Sequence, residues 1–183
     1  LNGVIHTAGI IDYGGIIQRR TTEDTEKVLD PKARGLIVLD SVVDTAALDF
    51  FMIFSSIAAV LTTFGQVGYT AGNAFLDAFA VSKNSQNDIY TVINWCDWLE
   101  VGMAIKAITK NNEGNPERAE LEMKALEKVA VSPAEGTESF YRMLDARLPR
   151  FAISIQELEA AMNFHWSVIL NTGESAREEP GKK

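Results

Sequence analysis

An almost unbroken apolar run, LDFFMIFSS at residues 48–56, restricts the possible folds of this chain more than any other feature. A strand that is apolar at successive positions buries both faces, as in a parallel sheet covered by helices. GVIHTAG (3–9) and IYTVINW (89–95) read as strands of the same kind, and 21–43 and 69–84 read as helices between them. This alternation predicts an α/β fold with a parallel sheet and right-handed crossovers.

The sequence pattern of the second half of the chain predicts helices, one more strand and a tail. SPAEG (132–136) places Ser at a helix N-cap and Pro in the first turn. RFAISIQELEAAM (150–162) predicts a last strand and a short helix, and the polar sequence from Asn171 onward predicts a frayed tail. We therefore expect a domain over residues 1–160, followed by a post-domain segment and flexible tail at 161–183. Because the chain opens directly in a strand, we expect a fold truncated at its N-terminal side.

Composition excludes several classes of function. A net charge of −8 argues against nucleic-acid and anionic-membrane partners, which are bound through excess Lys and Arg. No apolar run approaches the roughly 18–20 residues that cross a bilayer, and the first residues do not form a signal peptide. The single cysteine, Cys96, excludes an internal disulfide. Together with only His6 and His165, it cannot form a recognisable metal site. We expect a cytoplasmic protein without a metal.

Polar residues follow each of the first three predicted strands. They are HTAG (6–9), the pair Ser55 and Ser56, and NWCDW (94–98). In doubly wound sheets, ligands bind beyond the carboxyl ends of the strands. We therefore expect these three ends to line one crevice that holds a cofactor.

The spacing of Ser56 and Tyr69 can bring a hydroxyl and a phenol to that crevice. A phenol with a pKa of about 10 exchanges protons poorly near neutrality unless a nearby lysine stabilises the phenolate. With such a lysine, Tyr69 can protonate a forming alkoxide while Ser56 hydrogen-bonds the carbonyl oxygen. Plainer interpretations stay open for each residue alone: Tyr69 as a packing or capping residue, and Asn73 as a hydrogen-bonding group of its own helix.

Taken in order, several motifs resemble the ketoreductase domain of modular polyketide synthases, in the short-chain dehydrogenase/reductase superfamily. The matching pieces cover residues 1 to about 160 and are GVIHTAGI, LDPKARG, DFFMIFSSIAA, GQVGYTAGNAFLDAFA, INWCDWLEVGMA, SPAEGTESFYRML and RFAISIQELEA. The resemblance implies a Rossmann-like parallel sheet with flanking helices, of which this chain holds the C-terminal catalytic portion. It also implies a lid at about 99–130.

The resemblance implies roles for individual residues. Tyr69 matches the proton donor and Ser56 the serine that orients the carbonyl, whereas Ser55 is interpreted as structural. Asn73 stands four residues after the tyrosine, where most of the superfamily has lysine. Lys32 matches the lysine that, in the polyketide branch, reaches the site from an earlier helix.

The resemblance also implies a reaction and its partners. The implied reaction is NADPH-dependent reduction of a β-ketoacyl thioester carried by a phosphopantetheinyl carrier protein, with Thr7, Ala8 and Gly9 near the cofactor. Neighbouring synthase domains and the missing N-terminal half of the domain are the other expected partners. No nucleic acid and no membrane are expected.

Two departures from the family pattern matter. The G-x-G-x-x-G turn that binds the cofactor's pyrophosphate is absent from the sequence, so the chain alone is expected to bind NADPH poorly and to be inactive. One stereochemical class of the family carries Leu-Asp-Asp after the H-x-A-G turn, where this chain has Ile11-Asp12-Tyr13. The other class has a tryptophan where this chain has Leu61. The product configuration stays open, with Asp12 favouring the first class.

Two other functions remain as alternatives. A non-catalytic structural module would keep the fold without the chemistry, and a stand-alone short-chain dehydrogenase would be expected to have lysine in place of Asn73. Trp95 and Trp98 fit the substrate entrance and the core equally well. His6 is expected to support its turn, and Cys96 to be inert.

Overall fold

The computed structural model describes residues 1–62, 64–84, 89–146 and 148–175, except for the side chains of Phe164 and residues 168–175. Within these residues, four parallel strands form a sheet in the order β1–β2–β3–β4. The strands are β1 (Gly3–His6), β2 (Phe50–Ser56), β3 (Tyr90–Trp95) and β4 (Arg150–Ala152). The predicted α/β fold with a parallel sheet and flanking helices is confirmed.

The helices lie between and after these strands. They are α1 (Thr22–Leu29), α2 (Gly35–Val42), α3 (Val67–Asn84), α4 (Met103–Asn111), α5 (Pro116–Leu126), α6 (Pro133–Ala146) and α7 (Leu158–Ser175). None of the helices in the described ranges is long and apolar enough to span a bilayer. A π-helical segment, Asp30–Arg34, joins α1 to α2 and has Pro31 in its first turn. Because proline cannot donate a backbone hydrogen bond, the helix changes its period there.

The core lies on both faces of the sheet, as the apolar run in β2 predicts. Phe51 and Ile53 point to one face, where Leu76 of α3 packs against them. Met52 points to the other face, where Met143 of α6 belongs to the same cluster. Side chains of a strand alternate between its faces, so a strand buried on both sides must be apolar throughout.

The C-terminal helix corrects one prediction. A short helix and a frayed tail from Asn171 were expected, but α7 is an 18-residue helix that continues to Ser175. The stretch 160–170 contains neither proline nor glycine, so nothing in it ends the helix. The ring of His165 also lies 3.3 Å from the Thr62 hydroxyl, which ties α7 to the loop after β2. The rest of the predicted tail, 176–183, lies outside the described residues.

Candidate active site

A cavity of about 340 Å³ opens at the carboxyl end of the sheet. Residues from all three expected strand ends line it: Thr7, Gly9, Ser55, Ser56, Trp95, Cys96, Asp97 and Trp98. Strand β1 ends at His6, so the residues after it form a loop. Ala8 is exposed in that loop. The crevice predicted from the strand ends is therefore present.

Lys32, Ser56 and Tyr69 all line this cavity, although they are distant in sequence. Tyr69 lies in the first turn of α3, and the Lys32 Nζ lies 5.2 Å from the centroid of its ring. Lys32 is only 3% exposed. The structure thus places a buried lysine against the phenol, as the family resemblance implies.

Two glycines leave room for the Lys32 side chain. A Cβ atom on Gly9 would lie 3.2 Å from the lysine Cε, and one on Gly72 would lie 3.2 Å from its Cδ. His6 is buried at the end of β1, with its ring close to the backbone of Lys32. Burial lowers the pKa of His6. His6 thus supports the segment that carries the lysine.

Asn73 and Ser55 make mainly structural contacts. The Asn73 side-chain NH₂ donates to the backbone carbonyl of Tyr69 at 2.8 Å, which is the local hydrogen bond considered for it from the sequence. The Ser55 hydroxyl donates to the backbone carbonyl of Asn73 at 3.2 Å. The Oδ1 of Asn73 is buried and has no hydrogen-bond partner within the described ranges, which leaves an acceptor in the first turns of α3.

Burial shifts the pKa values of Lys32 and Tyr69 in opposite directions. Burial lowers the pKa of Lys32 to about 8, an effect that the charge of Asp77 opposes. Burial also raises the pKa of Tyr69, and the Ser56 and Asn73 side chains oppose this only in part. Desolvation therefore outweighs the two side chains that favour the phenolate. Tyr69 keeps its proton near neutrality, which is the state that a proton donor needs.

A buried polar network under the site was missed by the sequence analysis. The Asn94 side-chain NH₂ lies 3.0 Å and 2.9 Å from the two carboxylate oxygens of Asp77, and 3.2 Å from the Ser55 hydroxyl. Two signals could have revealed it. Asp77 follows Tyr69 and Asn73 at intervals of four, hence on the same helix face, and Asn94 interrupts an apolar strand. No three His, Cys, Asp or Glu side chains of the described chain are grouped to hold a metal ion.

A second cleft, of about 580 Å³, lies between the site and helices α4 and α5. Ser56 and Tyr69 line one side, and Ala107 and Leu126 are among the residues on the other. The lid predicted at about 99–130 falls on these helices, and its role stays a prediction. Its two ends meet where Leu99 N–H donates to the Val131 carbonyl at 2.8 Å.

The residues used for stereochemistry lie at the same cleft. Ile11, Asp12 and Leu61 line it. The Lys110 Nζ of α4 lies 4.7 Å from the ring centroid of Tyr13, which joins the loop after β1 to the lid region. The product configuration stays a prediction.

The two tryptophans belong to the core and also line the first cavity, and their role at a substrate entrance stays a prediction. Trp95 is buried in the core, its ring centroid lies 4.9 Å from that of Trp98, and both residues line the first cavity. Trp98 also packs against Gly136 of α6, where an added Cβ would lie 2.3 Å from the indole. The indole is rigid, so this contact cannot be relieved without moving the ring or the helix.

Gly136→Ala is therefore expected to lower the free energy of unfolding by about 1–3 kcal/mol through overpacking. Gly35→Ala is the matched control, because its Cβ would approach nothing closer than 3.5 Å. That helical substitution is expected to be neutral or to stabilise by about 0.5–1 kcal/mol. Urea unfolding of both variants measures the difference, and equal stabilities would show that the Trp98 contact is not tight.

Comparison with known proteins gives a consistent result. A family model described as "KR domain" matches residues 1–100. The chain is 44% identical over 104 residues to 6-methylsalicylic acid synthase of Aspergillus terreus. The match covers 57% of this chain and 6% of that protein. It is 39% identical over 139 residues to polyketide synthase PksN of Bacillus subtilis, covering 70% of this chain and 2% of that one.

Solved structures agree with the sequence relatives. A-type ketoreductases from a modular polyketide synthase superpose with a TM-score of 0.67 at 30% identity, over 86% of this chain and 31% of theirs. A ketoreductase domain from the bacillaene assembly line gives 0.67 at 30% identity, over 84% of this chain and 36% of that one. Levodione reductase, at 16% identity, shares the fold with a TM-score of 0.71, over 84% of this chain and 65% of that one.

Proposed function

The chain belongs to the KR domain family, and from this premise we propose that it is the catalytic portion of a polyketide-synthase ketoreductase. The proposed reaction reduces the β-keto group of an acyl thioester to a β-hydroxy group. The main support for this proposal is that Lys32, Ser56 and Tyr69 line the same cavity. The relatives are named polyketide synthases, of which this chain spans only a small part.

In this proposal, Tyr69 is the acid. Its phenol donates a proton to the substrate oxygen as that oxygen gains negative charge, because an alkoxide is far more basic than a phenolate. The Ser56 Oγ accepts a hydrogen bond from Ala58 N–H at 3.2 Å, which leaves its own proton to stabilise the same substrate oxygen. The ammonium of Lys32 then stabilises the phenolate that remains on Tyr69.

The proposed cofactor is NADPH, which supplies the hydride when bound. Thr7 and Gly9 line the same cavity as Tyr69 and fit the nicotinamide end, with Ala8 exposed between them. The sequence lacks the G-x-G-x-x-G turn that usually binds the pyrophosphate of the cofactor. The residues of this chain thus fit the reacting end of the cofactor and not its phosphates.

The exposed edge of the sheet and the second cleft are the surfaces on which we place the proposed partners. Strand β1 lies at the edge of the described sheet, its Ile5 is 46% exposed, and Ile37 and Val38 of α2 are 49% and 60% exposed. An edge strand of a parallel sheet is normally paired or covered. We propose that a preceding half-domain with the Gly-rich turn pairs here. We further propose that the acyl chain of a phosphopantetheinyl carrier protein enters by the second cleft, next to neighbouring synthase domains.

One comparison tests this proposal. The parent polypeptide, with a Gly-rich half ahead of this chain, is expected to reduce a β-ketoacyl thioester, measured by the loss of NADPH absorbance. The isolated chain is expected to show neither turnover nor NADPH binding. Turnover by the isolated chain would contradict the cofactor argument. A folded parent that binds NADPH without reducing the thioester would favour the alternative, a structural module.

A further inference from the structure

A buried ion pair joins the loop after β1 to the start of α3. Arg20 Nη1 lies 2.8 Å from Asp12 Oδ1, and the two side chains are 3% and 0% exposed. The other carboxylate oxygen, Oδ2, accepts the backbone N–H of Tyr69 at 3.0 Å. Oδ1 also accepts the N–H of Gly14 at 3.0 Å. Both oxygens of Asp12 are therefore engaged by the protein.

The Tyr69 N–H needs a partner from outside its helix. The helix ladder of α3 begins with Thr70, whose N–H donates to the Gln66 carbonyl at 2.9 Å. The N–H groups of the first turn before it have no partner within the helix. Asp12 supplies a cap from a distant segment, and its negative charge suits the positive end of the helix dipole. The residue capped is the proposed proton donor itself.

Arg20 fixes the carboxylate in turn. Its Nε donates to the Thr25 hydroxyl at 2.9 Å, and its Nη2 to the Asp24 carbonyl at 3.3 Å, so that it is anchored to α1. A Cβ atom on Gly14 would lie 2.5 Å from the guanidinium Nη1, and one on Gly68 would lie 2.4 Å from Nη2. Neither glycine has a positive φ angle. These two positions therefore need glycine for space, which is the space that the guanidinium fills.

A simpler residue would suffice for capping alone. A serine or threonine at a helix start satisfies an N–H without a buried charge, whereas a buried carboxylate is costly unless it is paired and hydrogen-bonded. Burial pushes the pKa of Asp12 up, but Arg20 and the N–H groups of Gly14 and Tyr69 outweigh it and keep the pKa below its usual value. The pair connects three segments, the β1 loop, α1 and α3, at the residue whose position decides proton transfer.

We propose that Asp12 and Arg20 are positioning residues for Tyr69, holding its backbone at a fixed distance from the loop that carries Thr7 and Gly9. The inference rests on the proposed function, since it assigns Tyr69 the role of acid. Proton transfer requires hydrogen-bond distances, and a displacement of about 1 Å can cost about 10²-fold in rate. Both oxygens of Asp12 are held by the protein and the Arg20 side chain is buried, so in this account both residues act through Tyr69.

The test uses the double variant Asp12→Asn/Arg20→Gln, which removes both charges together. Asparagine has a single carbonyl oxygen for the two N–H groups that the carboxylate accepts. In the parent polypeptide, kcat is expected to fall about 10–100-fold, with KM for the thioester changed less than about threefold. In the isolated chain, hydrogen exchange of the Tyr69 amide, followed by ¹⁵N NMR, is expected to accelerate at least about tenfold.

The matched control is the double variant Asp40→Asn/Lys83→Gln. Lys83 Nζ lies 2.5 Å from Asp40 Oδ2, so that this pair ties the far end of α3 to α2. It is expected to leave kcat and the exchange of the Tyr69 amide unchanged. An equal fall of kcat in both double variants would reduce the role of Asp12 and Arg20 to general stability and overturn the inference.

Two further outcomes keep the inference testable. If the first double variant does not fold, Arg20→Lys, which keeps the charge but loses the planar fork, is measured in the same way. A folded variant with unchanged kcat overturns the inference. The NMR arm does not depend on reductase activity, so it remains decisive if the parent proves inactive: unchanged exchange of the Tyr69 amide then overturns the inference independently of the proposed function.

Discussion

Tyr69→Phe is expected to reduce kcat for thioester reduction in the parent polypeptide by about 10²–10⁴-fold, the contribution typical of a positioned acid. The variant removes only the phenolic oxygen. The ring still fills its place beside Lys32, and the backbone N–H still donates to Asp12. The fold and KM for the thioester are therefore expected to change little. Steady-state kinetics of the two purified proteins measures the effect.

Tyr141→Phe is the matched control for this prediction. Tyr141 lies on α6, is 63% exposed and does not line the cavity, so the same atom is removed outside the site. Its kcat is expected to equal that of the wild type. If Tyr69→Phe retains full turnover, Tyr69 is not the acid. If both variants lose activity equally, the loss does not report on the site.

The fold could be predicted from the sequence because its core has a simple pattern. Phe51, Met52 and Ile53 are apolar in succession, and only a strand covered on both sides needs that pattern. The end of α7 could not be predicted in the same way. Polar residues from Asn171 onward suit a helix end as well as a tail, and the choice depends on contacts such as that between Thr62 and His165.

The site was predictable only in part. Motif order indicated Lys32, Ser56 and Tyr69, and the structure places all three at one cavity. Spacing alone could not reveal that burial would raise the pKa of Tyr69, because desolvation depends on the whole surrounding structure. Nor could it reveal that both oxygens of Asp12 are held by the protein.

The polar groups beneath the site explain how a lysine can be buried there. Asn94 engages both oxygens of Asp77 at 3.0 Å and 2.9 Å, and the Asp77 charge raises the pKa of Lys32 against the larger effect of burial. The network thus compensates the buried ammonium only in part. A residue kept at such a cost in stability is typical of a functional site.

Lys32→Met is therefore expected to make the chain more stable while it impairs catalysis. Burial lowers the pKa of Lys32 from 10.5 to about 8, which corresponds to about 3 kcal/mol of penalty for the charged form. Below about pH 8 the folded chain bears this penalty in full. As the pH rises toward 10.5, the unfolded chain binds a proton that the folded chain has lost, so stability increases. Methionine avoids the penalty at every pH.

The pH dependence of this gain distinguishes a charge effect from a packing effect. At pH 7, Lys32→Met is expected to raise the free energy of urea unfolding by on the order of 2–3 kcal/mol, and the gain is expected to shrink almost to zero near pH 10.5. Lys83→Met is the control, because Lys83 lies 2.5 Å from Asp40 and its side chain is 35% exposed. It is expected to give no such gain. A Lys32→Met variant that is less stable than the wild type at pH 7 but not near pH 10.5 would show that the buried ammonium stabilises the fold. The buried charge would then have a structural reason and would no longer argue for catalysis.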